Sequence, residues 1–73
     1  MKLSPKKIIY KLRERSRLSQ RHLSIALKLP CNTIGYYERG DRTISLRNAR
    51  IIIDYAWGCH RMRIDLDDLI PKG

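Results

Sequence analysis

The 73-residue sequence has no phenylalanine, only two cysteines, few acidic residues and no long hydrophobic run. The aliphatic run Ile51–Ile53 is far too short to cross a bilayer. Lysines interrupt the N-terminal segment, so we expect no secretory signal. These absences predict a cytoplasmic protein without a membrane partner.

The two cysteines, Cys31 and Cys59, are too few for a disulfide framework, and we expect reduced thiols in the cytoplasm. Cys59 adjoins His60, but no further ligand follows at a zinc-binding spacing. We therefore expect no metal and no other cofactor. The sequence also offers no recognisable nucleophile–base constellation, and His22 has no carboxylate close to it in sequence. An enzyme is not predicted.

Positive charge is what the sequence has in excess. Residues 1–50 contain 13 Lys and Arg but 3 Asp and Glu, a net charge of +10, whereas residues 51–73 carry a net charge of −1. This distribution predicts a polyanionic partner for the basic part, either DNA or RNA. RNA is disfavoured because no aromatic stacking platform is recognisable. The length predicts one domain, residues 1–73, with a thin core that oligomerisation would stabilise.

Capping residues and apolar spacing predict an all-α fold of five short helices. Ser4 before Pro5 is a favourable N-cap, and this first helix should end near residues 15–17. Ser19 is the predicted cap of the second helix, and Pro30 disfavours helix at the residue before it. The other three helices are predicted from Pro30 or Cys31 to about Arg39 before Gly40, from Ser45 to Trp57 before Gly58, and from about Asp65 to Ile70. The apolar positions that suit burial in the fourth helix are Leu46, Ala49, Ile52, Ile53, Ala56 and Trp57.

Two short helices joined by a tight turn at about residues 19–39 form a helix-turn-helix pattern. The stretch Leu18-Ser19-Gln20-x-x-Leu23, then Leu27, then Thr33-Ile34-x-x-Tyr37-Glu38-Arg39-Gly40 resembles the lambda-repressor-like family of Cro and repressor proteins, also called XRE-type. The resemblance covers about residues 6–70. The chain differs from the family at Ser24 (usually Ala), at Lys28 (usually Gly), at Pro30 (usually a capping Ser or Thr) and by five additional residues near 59–63. Lys28 is therefore expected to adopt a positive φ.

The resemblance implies a five-helix DNA-binding domain that regulates transcription, associated with the nucleoid. The residues implied to read base edges are Gln20, Cys31, Asn32 and Tyr36. Those expected at phosphates are Ser19, Arg21, Thr33, Arg39, Arg42 and Thr43. The asparagine can bond to both N6 and N7 of an adenine. Structural alternatives remain open for three of these residues. Gln20 could be a solvated surface residue, Cys31 a small residue that fills space, and Tyr36 a core residue beside Tyr37. Tyr37 is expected to face the core.

The resemblance also implies an ion pair between Arg13 and Glu38, and a homodimer that acts as a repressor on a palindromic operator. Segment 59–73 is the candidate dimerisation segment. The candidate interface residues are Ile51, Leu66, Leu69 and Ile70. An alternative function is an antitoxin-type module, which would bind a toxin partner as well as double-stranded DNA.

Overall fold

Serine side chains begin three of the five helices in residues 3–70, the part of the chain that the computed structural model describes. The Oγ atoms of Ser4, Ser19 and Ser45 accept hydrogen bonds from backbone N–H groups three residues later, at 3.4, 3.1 and 3.2 Å. Such caps satisfy N–H groups that have no partner within the helix. The helices are α1 (Pro5–Ser16), α2 (Gln20–Ala26), α3 (Thr33–Arg39), α4 (Leu46–His60) and α5 (Leu66–Leu69). The described chain is all-helical, as the sequence predicts.

Residues with left-handed backbone end three of these helices. Gly40 has a φ of 76° after α3, as predicted, and Arg17 has a φ of 55° after α1. The predicted end of α4 is wrong, because Gly58 lies inside the helix and Arg61 is the left-handed residue. The N–H of Arg61 closes the helix on the carbonyls of Ala56 and Trp57. A glycine therefore does not mark the helix end here.

The predicted start of α3 is also wrong. The helix begins at Thr33, two or three residues after the predicted Pro30 or Cys31. Residues 30–32 form a turn instead, in which the N–H of Thr33 donates to the carbonyl of Pro30 at 3.0 Å. Asn32 is the N-cap residue, with φ −97° and ψ −1°, and its side chain makes no capping hydrogen bond.

One apolar core connects all five helices. Its side chains are Ile8, Ile9, Leu12, Leu23, Leu27, Ile34, Tyr37, Ile44, Ala49, Ile52, Ala56, Ile64 and Leu69. Tyr37 faces this core, as predicted, whereas Tyr36 is half-buried. The predicted burial of Leu46 and Trp57 is wrong, because each remains 50% exposed. Trp57 follows the buried Ala56 in α4, so its side chain points about 100° away from the buried side of the helix. Leu46 is exposed at the other end, as the first residue of α4.

Helix α3 packs mainly against α1 and α2, and α5 packs against α1 and α4. The Cα radius of gyration is 10.9 Å. Among the described residues, no helix combines the length and apolar character needed to cross a membrane.

Candidate nucleic-acid interface

The turn between α2 and α3 fixes how these two helices meet. Lys28 has a φ of 59°, the positive φ that was expected there. The N–H groups of Lys28 and Leu29 donate to the carbonyls of Ile25 and Ser24, each at 2.9 Å. These bonds reverse the chain tightly, so that the start of α3 returns to the body of α2.

Ser24 joins the two helices across this turn. It is fully buried, and its hydroxyl donates to the carbonyl of Gln20 at 2.9 Å within α2. The same oxygen accepts from the N–H of Ile34 in the first turn of α3, at 3.0 Å. Ser24 thus satisfies a buried N–H that the N-cap residue of α3 leaves without a side-chain partner. This role was not predicted from the sequence, because the partner of Ser24 lies ten residues away.

The predicted ion pair between Arg13 and Glu38 is present and fixes α3 against α1. The guanidinium donates to both carboxylate oxygens, with Nε–Oε2 at 2.7 Å and Nη2–Oε1 at 3.1 Å. The side chains are 23% and 9% exposed. The hydrogen bond to Glu38 is the main cause that raises the pKa of Arg13 above its usual value. This two-point contact restricts rotation of α3 about its own axis.

The start of α2, the turn before α3 and one side of α3 together form a depression of about 230 Å³. Its lining residues are Gln20, Arg21, Cys31, Asn32, Gly35, Tyr36 and Arg39. The four residues predicted to read bases are therefore brought together. Cys31 and Asn32 lie in the turn before α3 and not within the helix, which corrects their predicted placement. Both are exposed.

Gly35 is a member of this face that sequence analysis missed. A Cβ atom at this position would lie 3.0 Å from Oε1 of Gln20 and 3.2 Å from Nη1 of Arg39. A larger residue would therefore displace both side chains. The absent side chain lets Gln20 lie directly against α3. The signal available in the sequence was a glycine in the middle of a short predicted helix.

Two arginine side chains lie over the ring of Tyr36. The guanidinium carbons of Arg39 and Arg42 lie 5.2 and 4.3 Å from the ring centroid, within cation–π range. Arg39 also pairs with Asp41 at 2.8 Å, where both side chains are 54% exposed. The tyrosine thus holds two cations beside the depression, and a neighbouring carboxylate partly neutralises one of them.

The residues predicted to contact phosphates are less tightly grouped. Arg21 and Arg39 line the depression, whereas Arg42 and Thr43 line a second cavity that the loop after α3 also borders. Ser19 is exposed at the start of α2, and Thr33 is half-buried as the first residue of α3.

Two serine–histidine contacts qualify the expectation that the chain has no nucleophile beside a base. Ser19 Oγ lies 2.9 Å from Nδ1 of His22, and Ser16 Oγ lies 3.0 Å from Nε2 of His60. Both serines have structural partners. Ser19 caps α2, and Ser16 donates to the carbonyl of Leu12 at 2.8 Å, so it must accept from the histidine. Within residues 3–70, no group of three His, Cys, Asp or Glu residues could hold a metal ion.

Comparison with known proteins gives no match. No family model matches the chain, and no curated protein or solved structure matches it.

Proposed function

We propose that this chain is a sequence-specific DNA-binding regulator of transcription that uses α2 and α3 as a helix-turn-helix. The observation that carries the proposal is one shared face, formed by Gln20 at the start of α2, Cys31 and Asn32 in the turn before α3, and Tyr36 in the middle of α3. A helix-turn-helix presents the first residues of its second helix to the major groove. The side chains on this face include amide, hydroxyl and guanidinium groups, which are the groups that read base edges.

Electrostatics supports double-stranded DNA as the partner. The net charge is +9, and the surplus lies within residues 1–50, which contain the face. Lys and Arg side chains that neutralise phosphates release counterions, so the affinity should fall steeply as the salt concentration rises. The ion pair of Arg13 and Glu38 and the buried hydroxyl of Ser24 hold α3 against α1 and α2. A rigidly held helix suits readout, because side chains must meet base edges in one register.

We further propose that two copies pair through the groove around Trp57. The groove is lined by Ile53, Trp57, Arg63, Ile64 and Asp65. It belongs to the part of the sequence that carries almost no net charge, so two basic copies would repel each other least there. Its Arg63 and Asp65 lie 3.8 Å apart within one copy and are both exposed, so they could exchange partners across a twofold axis. Trp57 offers the large exposed apolar surface that an interface requires.

A dimer that pairs through this groove uses a different set of interface residues from the set predicted from the sequence. Leu69 is 2% exposed and belongs to the core of one copy, so it offers a second copy almost no surface and we do not propose it as a dimer contact. Ile51 and Ile70 are partly buried and pack against the same core. Leu66, at 37% exposure, remains accessible to a second copy. Trp57 was expected in the core and is the stronger anchor.

The DNA proposal can be tested by fluorescence anisotropy titration of labelled duplexes. The duplex would come from upstream of the chain's own gene, with a scrambled duplex as competitor. Asn32→Ala and Tyr36→Ala should each reduce the preference for the specific duplex about 5- to 150-fold, because a base contact contributes about 1–3 kcal/mol of discrimination. Tyr55→Ala is the matched control, since Tyr55 is likewise a half-buried tyrosine but lies on α4, outside the depression. Wild-type protein that binds every duplex equally would refute the proposal.

The dimer can be tested by sedimentation of wild type, Trp57→Ala and Tyr10→Ala, the last being a control at an exposed aromatic residue on α1 outside the groove. We expect Trp57→Ala to sediment as a monomer at concentrations where wild type is dimeric. A wild-type monomer at all concentrations, also on a palindromic duplex, would refute pairing. A dimer that Trp57→Ala does not weaken would refute the groove.

A further inference from the structure

A second cavity, of about 400 Å³, lies between the start of α1, the loop after α3 and the end of α5. This volume falls in the range of small-molecule sites, about 300–1,000 Å³. The buried side chains of Tyr37, Ile44 and Leu69 line it on the side of the core. Its inner wall is therefore mainly apolar and suits a hydrocarbon group.

The exposed side of the same cavity is cationic. Lys6 and Arg42 line it, both exposed, and none of its described lining residues is acidic. A Cβ atom at Gly40 would lie 3.0 Å from Cδ and 3.7 Å from Nζ of Lys6, which places the ammonium group against the loop. An apolar wall beside two cations is complementary to a molecule with one anionic end and one apolar end.

We propose that this cavity binds a small monocarboxylate with an aliphatic chain, and that the bound anion weakens DNA binding. The carboxylate would pair with Lys6 and Arg42, and arginine can bind it through two parallel hydrogen bonds. The chain would lie against the apolar wall. The effect on DNA rests on the proposed function, whereas ligand binding itself does not.

The loop after α3 connects the cavity with the proposed DNA face. Arg42 lines the cavity, and its guanidinium lies 4.3 Å from the ring centroid of Tyr36, which lines the other depression. Arg42 and Thr43 are also predicted phosphate contacts. A carboxylate that engages Arg42 takes a cation from the phosphates and adds negative charge next to them, so the two ligands should compete.

Ligand binding can be measured by calorimetric titration of the full chain with octanoate, hexanoate and octan-1-ol. We expect saturable binding of octanoate, with affinity rising up to about fourfold for each added methylene group that becomes buried. Octan-1-ol should bind at least about tenfold more weakly, because it lacks the charge that the cations recognise.

Lys6→Glu should reduce octanoate affinity at least about tenfold, since it reverses the charge at the rim. Glutamate in the first turn of α1 is compatible with the helix dipole, so the fold should be kept, as thermal unfolding would verify. Lys11→Glu is the matched control, being the same charge change on the exposed side of α1 and outside the cavity. Absence of saturable octanoate binding, or equal losses in both variants, would overturn the site.

The coupling needs a DNA titration in octanoate and in acetate at the same ionic strength. We expect octanoate, and not acetate, to weaken specific binding, and Lys6→Glu to abolish that difference. Octanoate binding without an effect on DNA affinity would overturn the regulatory role. The two failures can be told apart. If the cavity does not bind the carboxylate, calorimetry shows no saturable octanoate binding. If the DNA proposal is wrong, the DNA titration in acetate shows no preference for the specific duplex.

Discussion

Replacing Ser24 by alanine tests the hydroxyl that joins α2 to α3. The change removes the acceptor of the Ile34 N–H, which lies in a buried bond of 3.0 Å. The change also removes the hydrogen bond from the Ser24 hydroxyl to the carbonyl of Gln20. That loss should matter little, because the same carbonyl accepts a backbone hydrogen bond within α2. Alanine occupies less volume than serine, so no steric clash accompanies the change.

The magnitude follows from two opposing effects. A buried N–H without a partner costs about 1–3 kcal/mol. Alanine has a higher helix propensity than serine, which offsets roughly 0.5 kcal/mol. We therefore expect Ser24→Ala to lower the free energy of unfolding by roughly 0.5–2.5 kcal/mol. For a chain of this size, each 1 kcal/mol shifts the melting temperature by about 4–8 °C.

Thermal and urea unfolding followed by circular dichroism would measure this loss. Ser24→Thr keeps the hydroxyl and tests whether loss of the hydrogen bond, and not any change at a buried site, is the cause. Ser16→Ala is a second control, because its hydroxyl bonds across to α4 and does not touch α3. A Ser24→Ala variant as stable as wild type would refute the capping role. An equal loss of stability in Ser24→Thr would also refute it, provided that the added methyl group causes no steric strain at this buried site.

Two further predictions concern stability. Gly58→Ala should raise the free energy of unfolding by about 0.5–1 kcal/mol in urea unfolding, because Gly58 lies inside α4 and a Cβ there meets nothing within 4 Å; a lower stability would contradict the position of the helix end at His60. Arg13→Ala should lower the free energy of unfolding by about 1.5–3 kcal/mol, because it removes a partly buried hydrogen bond between charged groups. Arg15→Ala, at an exposed position of α1, should change the free energy of unfolding by no more than about 0.5 kcal/mol. A double-mutant cycle with Glu38→Gln that shows no coupling would refute the pair.

Local chemistry predicted much of the fold correctly. The caps at Ser4, Ser19 and Ser45 and the left-handed Gly40 depend on neighbours within a few residues, so the sequence displays them directly. The errors arose where local signals were ambiguous. Pro30 is compatible both with a first helical turn and with the turn before a helix.

The orientation of α4 could not be predicted from its composition. Nearly every turn of the helix contains several apolar residues, so periodicity does not select one face. The structure selects the face with Ala49 and Ala56, whose small side chains allow close packing, and leaves Trp57 half exposed. This choice depends on the shapes of α1 and α5, which the sequence of α4 does not contain.

The capping role of Ser24 bears on the proposed readout of DNA. An N-cap side chain normally accepts a hydrogen bond from the second or third N–H of its helix, and Asn32 occupies that position for α3. Ser24 accepts from the second N–H, that of Ile34, and the amide of Asn32 makes no capping bond. The Asn32 amide oxygen lies 3.8 Å from the weak donor Cys31 Sγ, so the amide remains available to bond an adenine. Ser24→Ala removes the hydrogen bond that holds the first turn of α3 against α2, so the position of Asn32 at the start of α3 should become less fixed. Discrimination at the adenine should then fall, although Ser24 itself lies in the core.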